Sequence, residues 1–235
     1  LFRSAHEGFA TDTSGRNIAI DYSRWRDSKT SSAEMARLAR KAEGDLQIAS
    51  SLEHRDWGEL LGLDAFESID RKILSELSAG VADKSITSHE VAEAVRRRQV
   101  TFWFTDYETV YTAVLAASEL LTAIDTFAPS ISGFDDGLQQ YASDWSRIDQ
   151  LYRHFNHAAR STEHTKPLEV LIEQVENFYS NKYVGPLATA WQVQVDATAE
   201  WKSSTVRAQT AFFSWFVKPQ LDKGKRVIVI ISDAL

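Results

Sequence analysis

The sequence contains no cysteine, which excludes disulfides and thiolate metal sites and suits a bacterial cytosolic protein. Met35 is the sole methionine, and Leu1 stands where a start methionine would be, so a longer natural chain is expected at the N-terminus. No apolar run approaches the roughly 20 residues a membrane helix requires. An excess of basic residues is also missing. The net charge of −7 argues against a general nucleic-acid-binding surface and leaves room only for a local basic patch. Glycine is sparse where phosphate chemistry would need it: Gly44 and Gly62 stand alone and Gly185-Pro186 marks a turn. There is no phosphate-cradling loop and no serine-centred nucleophile elbow.

What remains is ordinary for a globular chain, with 43% hydrophobic and 25% charged residues, and seven tryptophans available to anchor a core. Residues 1–30 are polar and offer only a short strand at Ile18–Ile20, so they read as a loose lead-in. Helix signals then follow in series. Ser31 and Glu34 have capping-box spacing and open a helix to about Leu52. Asp64 can cap a second helix, with Phe66, Ile69, Ile73, Leu74 and Leu77 on one stripe, ending at Ala79-Gly80. Thr87 and Glu90 form another capping box. Trp103, Tyr107, Val110, Val114, Ala117, Leu121 and Ile124 predict a long helix over 101–126. Leu138, Tyr141, Trp145, Ile148, Tyr152 and Phe155 predict the next, ending near Arg160. Thr165-Lys166-Pro167 starts a helix with Leu168, Leu171, Ile172, Val175 and Phe178 on one stripe, interrupted by Gly185-Pro186. A last helix is expected from about Ala199 to Leu221, with Trp201, Ala208, Phe212, Trp215 and Phe216 inward and an end or kink at Pro219. The fold class is therefore mainly α, a bundle of about six or seven helices.

The C-terminus reads differently. Val227 to Ile231 is an unbroken β-branched run that suits a strand covered on both faces, as at the start of an α/β domain. A carboxylate just past such a strand sits where α/β folds place ligands. Asp233 is thus a candidate metal ligand, the alternative being a strand-end turn or helix N-cap. One aspartate cannot hold a catalytic metal alone. His154 and His157, with Glu163 and His164 following, bring at most two zinc ligands together and read as surface or helix-end histidines. Arg96, Arg97 and Arg98 suit the negative end of a helix dipole, an anion or partner contact being the alternative. Asp149 and Arg153 have helix-face ion-pair spacing. Phe212, Phe213, Trp215 and Phe216 are apolar on nearly all sides of a helix, which points to core or to a domain interface.

The end of the chain resembles the PglZ family of bacterial BREX phage-defence systems. The likeness lies in Phe212-Phe213, Val217, Pro219, Leu221 and the run from Arg226 through Ser232-Asp233-Ala234-Leu235. Upstream, Asp149 with Tyr152-Arg153-His154-Phe155, then Val175-Glu176-Asn177-Phe178-Tyr179, Tyr183, Leu187 and Trp191 follow in similar order. Fainter likeness reaches Arg97, Trp103, Tyr107 and Tyr111. It covers about residues 90–235, and residues 1–90 match no family by eye. The resemblance implies a cytoplasmic antiviral-defence protein whose C-terminal domain has the alkaline-phosphatase-like fold. That domain would hydrolyse phosphate esters with a divalent metal, zinc or magnesium or manganese, and the family's first metal-binding aspartate maps onto Asp233.

The expected layout is a lead-in at 1–30, a helical domain at 31–224 with subdomains 31–128 and 133–224, and the first strand of a truncated phosphatase-like domain at 225–235. The fragment itself carries no catalytic residue and no cofactor. Its expected partners are the missing C-terminal catalytic domain and other BREX defence proteins, with no membrane. A nucleic-acid-contacting module supported by Arg96–Arg98, Lys223, Lys225 and Arg226, and an unrelated helical adaptor, are the alternatives.

Overall fold

The computed structural model describes residues 2–7, 11–28 and 30–231, and the elements formed by these residues are helices joined by turns and loops. In chain order they are α1 (Phe2–Glu7), α2 (Thr13–Arg26), α3 (Ser32–Asp45), α4 (Ile48–Leu52), α5 (Trp57–Leu60), α6 (Glu67–Ala82), α7 (Ser88–Arg98) and α8 (Phe104–Asp125). There follow α9 (Phe134–Gln140), α10 (Ser146–Ser161), α11 (Glu169–Phe178), α12 (Gly185–Ala197) and α13 (Lys218–Leu221). Two compact units result: Leu1–Phe127 with Arg147–Tyr183, and Ala128–Ser146 with Val184–Leu235.

The first unit is built around α8. Buried residues occur all round this helix, from Phe104 and Tyr107 to Leu121 and Ile124, as expected of a helix enclosed by neighbours. α6, α7 and α11 pack against it. α7 starts as the sequence indicates. The Thr87 hydroxyl accepts from the Glu90 backbone N–H, and the Glu90 carboxylate accepts from the Thr87 N–H. Thr87→Ala should lower stability by about 1 kcal/mol, measured as a lower urea midpoint. The hydroxyl and backbone N–H of Thr87 hold Glu90 below the usual carboxylate range. The Glu90 part of this cap is therefore present above that range and is lost as pH falls through its folded-state pKa.

The N-terminal segment departs from the expected loose lead-in. Asp12 caps α2 by accepting from Gly15 N at 2.6 Å. Ile18, Tyr22, Trp25 and Arg26 share its inward stripe, so Ile18–Ile20 lies in a helix and not in a strand. Phe2 lies 5.7 Å from the Trp25 ring and 5.9 Å from Phe66, which docks α1 on the same core. Two other expected caps are used elsewhere. Ser31 makes no side-chain cap, and Glu34 pairs with Arg37 at 2.5 Å. Asp64 accepts from Tyr22 at 3.3 Å and Arg26 at 3.2 Å, and Phe66 occupies the N-cap position of α6. The expected helix to Leu52 breaks between α3 and α4, where Gln47 adopts the left-handed conformation at φ 51°. α6 runs past Gly80 to Ala82.

Helical structure continues through the interruption predicted at Gly185-Pro186 and along the helix predicted from Leu138 to near Arg160. π turns at Tyr141–Trp145 and Tyr179–Val184 join α9 to α10 and α11 to α12. Pro186 sits in the first turn of α12, just after the π turn that accommodates its missing N–H.

The second unit has a thin core. Among its described residues only Gly137, Trp145 and Val217 are buried. Phe134 stacks on Trp191 at 5.5 Å, and a methyl group at Gly137 would lie 1.9 Å from the Trp191 ring, so this close approach requires glycine. The helix expected over 199–221 does not form. Residues 199–208 are irregular, Asp135 accepts from Ser204 N at 3.0 Å, and helical turns resume only at Gln209. A π turn at Phe213–Val217 precedes α13. It accommodates Pro219, which has no N–H and whose ring would crowd the carbonyl four residues earlier.

Candidate functional site

The candidate site is an exposed aromatic face in the second unit. The π turn at 213–217 buries Val217 and leaves its aromatic side chains outward. Phe212, Phe213, Trp215 and Phe216 are all exposed, the last two to 55%, so they are not the core that their spacing allowed. Phe212 and Phe216 lie 5.5 Å apart, and the Arg207 guanidinium sits 3.8 Å over the Trp215 ring. Arg207 thus covers part of one ring with a cation that aromatic faces attract. Trp201 is more open still, at 72%. Val193, Val206, Leu221, Ile228, Val229, Ile230 and Ile231 are also exposed. Single exposed apolar side chains are common, but this many within one short unit make it a candidate contact surface.

The expected strand belongs to the same region. Val227 to Ile231 forms no strand pairing. The physical reason is the absence of a partner strand among the described residues, since Ile18–Ile20 is helical. Asp233 lies outside the described residues, together with Ser232, Ala234 and Leu235. Among the described residues no group of three or more His, Asp or Glu side chains could hold a metal ion. His154 and His157 are exposed, and His164 stacks on Tyr107 at 4.4 Å.

The three consecutive arginines separate into three environments. Arg96 is exposed and paired with Glu93 at 2.5 Å, and Arg97 is exposed. Arg98 is fully buried, which corrects its candidacy as an anion or partner contact. Its guanidinium grips Asp70 with two hydrogen bonds at 3.1 and 2.6 Å and donates to the carbonyls of Leu61 and Leu63 at 3.2 and 2.6 Å. Tyr111 donates to Asp70 at 2.6 Å. Burial pushes the Asp70 carboxyl up against the opposing pull of Arg98 and Tyr111, and burial beside Asp70 pushes the Tyr111 phenol up as well. Alongside, Glu67 accepts from Arg40 at 2.6 Å and Tyr107 at 2.8 Å. Burial opposes its ionised form, yet these donors hold it below the usual range. The network ties α6, α7 and α8 together, and its depth marks it as structural. Sequence reasoning missed it because a one-letter run of arginines does not show which of them turns inward.

Comparison with known proteins gives the chain its relatives. It is 27% identical over 202 residues, 84% of its length, to the alkaline phosphatase-like protein PglZ of Bacillus cereus (strain H3081.97). It is 31% identical over 183 residues, 72% of its length, to the alkaline phosphatase-like protein BrxZ of Escherichia coli O9:H4 (strain HS). The chain has a PglZ-family relationship. Both matches are longer than the stretch 90–235 can hold, so the likeness reaches into the N-terminal helices that the sequence reading left unmatched. The chain spans only 24% and 21% of the two relatives' own lengths. No family model and no solved structure matches it. Among the described residues no helix is long and apolar enough to cross a membrane.

Proposed function

We propose that this chain is the non-catalytic helical region of a PglZ-type antiphage defence protein, and that its second unit packs on a metal-dependent phosphatase or phosphodiesterase domain. The carrying observation is the concentration of exposed apolar side chains between Val193 and Ile231 in a unit with almost no core of its own. A face of this kind is unfavourable in water and stable once covered. The relatives support the identity of the cover, because most of their length lies beyond what this chain matches and both are named alkaline phosphatase-like. In this reading Val227 to Ile231 pairs as the first strand of that domain, Asp233 is the first of its metal ligands, and the remaining ligands and the nucleophile come from elsewhere. The first unit, with its own well-filled core, is then free to dock other defence components in the cytoplasm.

The test is a pair of charge substitutions, Trp215→Asp and Phe216→Asp, made in a protein of the relatives' full length. Limited proteolysis should cut the variant between the helical region and the catalytic domain at least about tenfold faster than the parent. Unchanged cleavage, with circular dichroism also unchanged, would show that this face is not the interface.

A further inference from the structure

A second feature lies in the first unit and is independent of the aromatic face. A cleft of about 260 Å³ is lined by Arg3 and His6 of α1, by Glu7, by Ile48 and Ser51 of α4, and by Arg55. Neither Arg3 nor Arg55 forms an ion pair among the described residues. His6 is only 7% exposed and is held edge-on against Phe66 at 5.5 Å. Its Nε2 lies 3.5 Å from Ser51 Oγ, whose own proton is directed to the Ile48 carbonyl at 2.7 Å. Nδ1 is enclosed without a partner. An enclosed unpaired N–H is worse tolerated than an enclosed unpaired acceptor. The proton therefore belongs on Nε2, on the side of Ser51.

We propose that this cleft binds a small dianion of the phosphate class between the Arg3 and Arg55 guanidiniums. Guanidinium forks match phosphate oxygens in pairs, and such charge-assisted bonds are the strong ones. Burial and the neighbouring Arg55 hold His6 below its ordinary pKa, so the positive charge of the cleft comes from the two guanidiniums. A cleft of this size has room for a phosphate group with a small organic substituent. A polynucleotide would need a longer basic track, which a chain of net charge −7 does not advertise. Glu7, which also lines the cleft, opposes a dianion.

Inorganic phosphate titrated into the whole chain at low ionic strength, followed by calorimetry, tests the assignment. Saturable binding at millimolar concentration or below is expected. Arg3→Gln and Arg55→Gln should each weaken it at least about tenfold, and Glu7→Gln should tighten it. Arg37→Gln removes the same charge from an exposed arginine paired with Glu34 outside the cleft, and should leave binding unchanged. Glycerol 3-phosphate as a second probe distinguishes the source. Tighter binding than inorganic phosphate assigns an organic monoester, equal binding assigns the free ion, and both support the cleft. No saturable binding, or equal affinity across all four variants, would overturn the proposal. So would tighter, Arg3- and Arg55-dependent binding of a short DNA duplex.

Discussion

Replacing Arg98 by methionine should destabilise the first unit by about 3–5 kcal/mol. The substitution strands the Asp70 carboxylate in a dry interior and removes the donor for the Leu61 and Leu63 carbonyls. Asp70→Asn should cost less, because an amide oxygen still accepts from Tyr111 and Arg98 keeps its backbone carbonyls. The double variant with Asp70→Leu and Arg98→Met should recover part of the loss, since a buried pair removed together leaves no unpaired charge. Urea unfolding of these variants and of Asp70→Leu alone supplies the cycle. A loss below about 1 kcal/mol for Arg98→Met would mean that water reaches the site and that the network is not structural.

The second large effect is expected at Phe178. It is buried at the end of α11, with the Lys84 and Lys182 ammonium groups 4.7 and 3.8 Å from its ring centroid. Phe178→Ala should cost about 3–5 kcal/mol through lost burial and the cavity left behind. Phe178→Leu should recover much of the packing but not the ring's attraction for the two lysines. Trp191→Ala should cost less. Trp191 is half-buried on a helix with no buried residue, and its removal loosens its contacts with Phe134 and Gly137. Equal losses at Phe178 and Trp191 would contradict the difference in core depth between the two units.

The helical class was legible because apolar spacing is a property of the local sequence. The stripe from Leu168 to Phe178 and the Thr87–Glu90 cap needed no tertiary information. Where competition decided the outcome, the sequence was silent. Ser31, Glu34 and Asp64 had the right types for caps, yet Glu34 went to Arg37 and Asp64 went to Tyr22 and Arg26. The spacing of Ile18, Tyr22 and Trp25 did carry a helical signal, and the polar residues around it concealed it. In the C-terminal unit the aromatic pattern from Trp201 to Phe216 looked like a buried helix face. Aromatic periodicity cannot distinguish a face covered within the same chain from one covered by another domain. The candidate interface was therefore legible as residues but not as a surface, and Asp233 lies beyond the described structure.

Hydrogen exchange across residues 209–231 tests the central claim most directly, comparing this chain alone with the same segment in a protein of the relatives' full length. The account predicts fast exchange in the isolated chain. In the long protein it predicts protection raised by at least about a hundredfold over Val227 to Ile231, where a strand would gain its partners. Equal exchange in the two contexts would contradict it, because the exposed aromatic face and the unpaired strand would then have no domain to cover them.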